Sequence, residues 1–390
     1  MDCSSQVLRI LVEQNFKPPT LNFKPLNFGM TENDLIKMRL QNQHLLNQSL
    51  TSTADIVRSL GAVQAQDYAG AKWSLATRST GITEEEIDKS FDAGHILRTH
   101  VLRPTWHFVL PDDIRWMLKL TEPRITAFSS KYFRDAGLDE TVFKKTNRVI
   151  VKALEKEGFL TKKEIADALQ RTGIDTQELR LTYIIIRAEL DQLICSGPRR
   201  GKQMTYALMD HRAPNARVLK KDEALSELAI RYFKSRGPAT VKDFGWWSGL
   251  SAGDSRKAVE IVSTNLVKSE LNEVTYYFIS SKEGNDIPKQ MRVHLLPSWD
   301  EYTVAYKDRS LVIEQKFQSE SGHGIFSPII VVDGKVKGVW RRELKTSSVD
   351  IEIRYFGPLS KSIREKINAT ARLYAKYLNR KLNVAELKEQ

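Results

Sequence analysis

The sequence predicts an α+β protein built as three tandem winged-helix modules followed by a small C-terminal β-barrel-like domain. Three observations carry this. At 390 residues the chain exceeds one hydrophobic core and divides into roughly two to four compact units. One order of elements, helix, short helix, helix and two-stranded wing, recurs with a period of about 75 to 80 residues, too long for the common solenoids. From Met291 onward the helical texture gives way to short β-rich runs.

The elements follow in order. Leu35, Leu40, Leu45 and Leu46 recur among polar residues and predict a helix over 33–47. Ser52 or Thr53 caps the next helix, which runs to about Ala62, and Leu102 to Val109 falls in the wing of this first, most divergent copy. The second copy has a helix near 143–158. Thr161-Lys162-Lys163-Glu164-Ile165 then opens a short helix as a capping box. A longer helix over 177–196 follows, and the basic turn Gly197 to Lys202 feeds a strand through Leu208. In the third copy 222–235 is helical, Gly237-Pro238 breaks it, and Thr240-Val241-Lys242-Asp243-Phe244 repeats the opening seen at Thr161. A helix over 254–264 and a hairpin over 266–280 complete it. Short runs at 293–296, 311–313, 329–332, 336–340 and 349–356, with the hairpin turn Asp333-Gly334 and an amphipathic helix over 360–378, predict the last domain. The expected boundaries are 1–29 for an N-terminal arm or misplaced start, 30–135, 136–215 and 216–286 for the modules, and 287–390 for the β-domain.

Composition narrows the function. The 41% apolar and 28% charged content is that of a globular protein. No stretch approaches the roughly 18 apolar residues of a membrane span, and Met1 to Ser5 offers no basic start to a secretory signal. Cys3 and Cys195 stand alone, without metal-ligand spacing, so neither disulfide, metal nor other cofactor is expected and a reducing cytoplasm fits. The net charge of +12 is spread over 60 basic and 48 acidic residues. Such a field attracts polyanions, nucleic acid first among them. Arg199, Arg200 and Lys202 sit where a wing would grip phosphates, although a basic turn is common on any surface.

The residues with most to say chemically are Gln64 and Gln66, two neutral amides separated by Ala65 just after a glycine. In isolation they read as solvated glutamines at a helix end. In a basic, DNA-directed protein they read as a site that positions water or a base without adding charge. Trp246 and Trp247 are tempting as stacking plates, but a tandem tryptophan after a helix start is more often core.

Five segments occur in a telling order: Leu60 to Asp67; Arg103-Pro104-Thr105-Trp106-His107; Gly237 to Thr240 with Trp246 to Leu250; Leu295 to Tyr302 with Asp308-Arg309; and Gly324-Ile325-Phe326 with Val332-Asp333-Gly334. Together they resemble the winged-helix DNA glycosylases of the crosslink-unhooking, azinomycin-resistance type, over about Met30 to Leu378. The resemblance implies a C-shaped DNA clamp with Gln64 and Gln66 as the catalytic pair. Related members carry Asp at the second position, where this chain has Gln66. It implies Thr105 and His107 near the site, His107 against a phosphate or the water, and Asp300 and Tyr302 bracing the glutamines or contacting DNA; the residues themselves read equally as a histidine packed beside Trp106 and a buried hydrogen-bonded corner of Asp300 and Tyr302 with Arg309. Arg98, Arg103, Arg199, Arg200, Lys202, Arg309 and Arg341 are the expected DNA-binding cations.

The chemistry fits an amide pair. A purine alkylated at N7 or N3 is cationic and leaves without a general acid. The enzyme then has only to stabilise an oxocarbenium-like centre and place a water, through the two amide oxygens. The expected protein is therefore a monomeric, monofunctional glycosylase acting on double-stranded DNA with alkylated purines or crosslinks, away from membranes. The competing expectation is a non-enzymatic winged-helix regulator whose glutamines read adenine edges.

Overall fold

The computed structural model describes residues 24–25, 29–280 and 292–386. The expected N-terminal arm lies mostly outside these residues; its Lys24–Pro25 forms a short strand parallel to Val267–Leu271.

One order of elements appears three times. First come helix Thr53–Leu60, strand Val63–Gln64, helices Tyr68–Ala76 and Glu84–Ala93, and the hairpin Leu97–Val101/Thr105–Val109. The second unit has Glu140–Glu157, Phe159–Thr161, Lys162–Gln170, Arg180–Leu190 and the hairpin Ile194–Ser196/Thr205–Leu208. The third has Lys221–Arg236, Val241–Ser248, Ala252–Ile261 and the hairpin Val267–Leu271/Val274–Phe278. In the first two units the short strand pairs with the second hairpin strand, giving a sheet in which the last strand is central. In the third that strand shrinks to Ala239, bridged to Tyr277.

Local chemistry sets these starts. Thr161 and Thr240 each accept the N–H three residues on while Glu164 and Asp243 return a bond to the cap backbone, satisfying otherwise orphaned amides. Thr83 with Glu86 does the same in the first unit. Helix Thr53–Leu60 stops at Gly61, whose φ of 77° is a left-handed conformation costly for other residues.

Several sequence expectations shift. The first helix ends at Asn42 and His44 turns at φ 57°, so Leu45 and Leu46 are buried in a turn and not on a helix face. The helix expected over 177–196 stops at Leu190, because Gln192 turns at φ 59° and Ile194–Ser196 pairs with Thr205–Leu208. Residues 311–313 form no strand: the Val312 and Ile313 amides both donate to the Arg309 carbonyl, which curls the segment. The C-terminal sheet takes its fifth strand from Lys381–Glu386, parallel to Ser348–Tyr355, after Val293–Leu296, Ile329–Val332 and Lys335–Leu344. Helix Lys361–Tyr377 packs on this sheet through Ile367, Ala371 and Tyr374. A long helix, Pro111–Asp135, joins the first and second units and was not anticipated.

Two cores meet at the strand that carries Gln64. Ala62 belongs to a core shared by the long helix, the first hairpin and the third unit. Val63 and Ala65 belong to another, shared with Trp340, Ile351 and Tyr374 of the C-terminal domain. The third unit presses close here. Gly249 has φ 69°, and a Cβ on it would stand 2.2 Å from the Leu102 carbonyl oxygen, next to Arg103.

Candidate active site

The two glutamines end up in different surroundings. Gln64 pairs across the sheet with His107 and is 2% exposed, whereas Gln66 lies half-buried just beyond the strand. The Gln64 amide oxygen accepts from Arg103 Nη2 at 3.2 Å and from Thr105 Oγ1 at 3.3 Å. A guanidinium only donates, so its presence fixes which way the amide points. Both lone pairs are engaged, and Gln64 Nε2 is the end of the amide left without a protein partner. The Gln64 backbone N–H donates to Glu301 Oε1 at 2.7 Å. Gln66 Oε1 accepts from the Trp106 N–H at 3.4 Å, and Arg98 clamps the residue between the glutamines, donating to the Ala65 carbonyl at 3.0 and 2.9 Å while lying over the Trp106 ring.

His107 is fully buried. Its Nδ1 lies 2.9 Å from the Thr105 carbonyl, which requires a proton there and leaves Nε2 an acceptor, without a protein partner. Burial, with Arg103 nearby, holds its pKa well below 6.5, so the ring is neutral. It touches no surface a phosphate could reach in this structure.

Positive charge collects behind the pair. Arg103 and Arg309 both face Trp246, at 5.7 and 5.4 Å from its ring centre. Burial lowers each guanidinium to about 10, and Arg103 Nε and Nη1 and Arg309 Nη2 have no hydrogen-bond partner. Trp246 is half-buried and donates to the Val304 carbonyl; Trp247 is core and donates to Glu301.

The other expected residues lie elsewhere. Asp300 is buried in a two-pronged ion pair with Arg78, at 2.7 and 2.9 Å, and not with Arg309, which donates to the Thr303 carbonyl. Tyr302 is buried and donates to the Gly334 carbonyl. Arg199 bridges Asp88 and Asp92, tying the first and second units together. Arg200 pairs with Glu164. Lys202 and Arg341 are exposed, far along the chain from the glutamines. Sequence reasoning passed over Glu301, Arg236 and Arg78; the only sign was that Glu301 stands inside the Trp299-Asp300-Glu301-Tyr302 run.

Two buried neutral histidines give a stability prediction. Burial lowers His294 to about 4, and His107 lies well below 6.5. Each binds a proton more readily when unfolded, so stability is full above pH 6.5 and falls as pH drops from 6.5 toward 4. Each pKa unit is worth about 1.4 kcal/mol. Thermal midpoints across this range should fall less steeply for His294→Leu; an unchanged slope excludes His294 as a cause.

Fold and site together describe a basic α+β protein in which one amide, that of Gln64, is held by a buried guanidinium and a second, that of Gln66, lies two residues on beside a half-buried arginine. A family model described as DNA glycosylase AlkZ-like matches residues 57–377, and the chain belongs to that family. It is thus an enzyme of the class that hydrolyses N-glycosyl bonds, which sets aside the non-enzymatic regulator. A curated relative, the interstrand DNA cross-link repair glycosylase of Streptomyces sahachiroi, is 24% identical over 319 residues, covering 77% of this chain and 85% of the relative. The solved structure of the Streptomyces sahachiroi DNA glycosylase AlkZ matches with a TM-score of 0.77 at 21% identity, over 92% of this chain and 100% of that one. No described helix is long and apolar enough to cross a membrane.

Proposed function

We propose that this protein is a monofunctional DNA glycosylase that hydrolyses the N-glycosidic bond of cationic N-alkylated purines in duplex DNA, including purines tied into interstrand crosslinks. In this reading the three repeated units are winged helices, and with the C-terminal domain they form a C-shaped clamp. The DNA-directed cations are Arg98, Arg309 and Arg341, with Lys202 on a wing; Arg103, expected among them, is 2% exposed and holds Gln64 from within, and Arg199 and Arg200 have carboxylate partners to exchange for phosphate. The protein acts as a monomer in the cytoplasm.

The observation that carries the reading is the fixed orientation of Gln64. Its amide oxygen is held by Arg103 and Thr105, so Nε2 is the free end of the amide, and the cross-strand neighbour His107 carries a second unpartnered atom, the acceptor Nε2. One donor and one acceptor, both buried and without protein partners, suit a water that accepts from Gln64 and donates to His107. Gln66, nearer the surface, meets the sugar of the lesion. The C1′–N bond breaks with its electron pair going to the cationic base, which leaves neutral. The water oxygen then bonds to C1′, and its proton leaves through the hydrogen bond to His107. Gln64 therefore works as a donor, whereas the sequence suggested that both glutamines act through their oxygens. Asp300 and Tyr302 support the site from the interior, through the segment that carries Glu301. Lys72, a buried lysine near the motif in sequence, is occupied by Glu84 and Asp88, which supports an abasic product without strand cleavage.

The test is release of 7-methylguanine from an alkylated duplex by wild type, Gln64→Ala, Gln66→Ala and the double variant. Wild type should release the base, and each single variant should slow release by about 100-fold. The single-turnover rate should be flat from pH 6.5 until Arg103 loses its proton at about 10. Full release by the double variant removes the pair from the mechanism; no release by wild type removes the substrate.

A further inference from the structure

We propose that Glu301 and Arg236 are positioning residues that set the backbone of the glutamine segment from outside the unit that carries it. Four hydrogen bonds converge on the Glu301 carboxylate, which is wholly buried. Gln64 N–H reaches Oε1 at 2.7 Å, while Arg236 Nε at 2.9 Å, Arg236 Nη2 at 2.6 Å and Trp247 Nε1 at 3.1 Å reach Oε2. Arg236 continues the grip: its Nη1 donates to the Leu60 carbonyl and its Nη2 to the Ala62 carbonyl at 2.8 Å. The segment 60–64 is therefore held at three alternate points, Leu60 O, Ala62 O and Gln64 N, by one ion pair that is 0% exposed on both sides.

The partners come from three distant parts of the chain. Arg236 closes helix Lys221–Arg236 and Trp247 lies in the next helix of the third unit, while Glu301 opens the short helix Glu301–Val304 that follows the first strand of the C-terminal sheet. The first unit supplies the glutamine, and its sheet pairs Val63 and Gln64 and takes the Ala65 N–H onto the Trp106 carbonyl at 2.7 Å, leaving 60–62 outside the pairing. Without the outside frame, the turn at Gly61 would be fixed only between its own helix end and that short paired strand. In a low-dielectric interior the ion pair resists displacement, since moving either partner strands a buried charge. The frame therefore gives Gln64 the fixed geometry that water placement needs, and makes the site depend on docking of the third unit and C-terminal domain.

The role in catalysis rests on the function proposed above; the role in holding the backbone does not, and two readouts separate them. Glu301→Asp keeps the charge opposite Arg236 but withdraws the carboxylate by one methylene from the Gln64 amide. Arg236→Lys keeps the charge opposite Glu301 but loses the carbonyl grips. Hydrogen exchange of full-length protein should show the Gln64 amide exchanging about tenfold faster in Glu301→Asp, with helix Glu140–Glu157 of the second unit unchanged. Single-turnover release of 7-methylguanine should fall toward 100-fold, the cost of a displacement on the order of 1 Å, with duplex affinity unaltered. A purely structural role would weaken protection in other elements as well, or leave the rate of the folded fraction intact. Unchanged Gln64 exchange in both folded variants overturns the proposal, as does faster exchange with a wild-type rate. If wild type releases no base, the glycosylase reading fails and the exchange data still decide whether the frame holds the segment.

Discussion

Gln64→Glu should fold as stably as wild type or more so, and release alkylated base about 100-fold more slowly, the usual cost of removing one well-placed donor. The substitution preserves shape. One carboxylate oxygen can keep the bonds from Arg103 and Thr105, and the other replaces the NH2 group. The surroundings are positive: Arg103 and Arg309 are buried with unpartnered N–H groups, and Glu301 is already committed to Arg236. A carboxylate there gains charge-assisted bonds worth about 1.5 to 3 kcal/mol each against its desolvation. What it cannot do is donate to a water shared with His107. Thermal unfolding and single-turnover release, measured together, separate packing from chemistry. A Gln64→Glu protein with the wild-type rate would show that the donor is not needed, and the orientation argument would fall.

Asp300→Ala and Arg78→Ala should each cost about 3 to 5 kcal/mol, among the largest stability effects expected from single substitutions in this protein. Both partners are 0% exposed, and the pair is two-pronged. Asp300 also accepts from Ser74 Oγ at 2.6 Å and the Tyr302 N–H at 2.9 Å, and Arg78 also donates to Gln43 and to the Ser74 carbonyl. Removing either residue leaves a charge buried without its counterpart. Burial alone would raise the Asp300 pKa, but the Arg78 guanidinium and the hydrogen bonds more than reverse this and hold it below 3.8. Its contribution is therefore present above that value and lost as pH falls through the lower folded one. Urea unfolding at neutral pH checks the magnitude. The paired replacement Arg78→Met with Asp300→Leu should recover much of the loss, because it strands no charge. A loss under about 1 kcal/mol in either single variant would mean that water reaches the pair.

Local signals were legible where one short stretch carried them. The capping boxes at Thr161 and Thr240 start the helices they were expected to start, and Asp333 and Gly334, at φ 47° and 81°, make the turn between adjacent strands. Segment ends were less so. Nothing near Leu190 marks the stop of its helix except a left-handed turn at Gln192, and the apolar run 311–313 was equally compatible with a strand or a buried turn. Apolar character records burial; it does not say which backbone hydrogen bonds accompany it.

For the site, the amide pair and the +12 charge are properties of the sequence itself, and so is the order of motifs that marks the family. The tertiary structure alone decided that the Gln64 oxygen is held by Arg103 and Thr105, that His107 is neutral and buried, that Asp300 belongs to Arg78, and that Glu301 and Arg236 hold residues 60–64. The reason is physical. A side chain's identity fixes what it can donate or accept, whereas its partner is fixed by which distant groups folding places within about 3 Å of it, and here they come from 176 and 237 residues away along the chain.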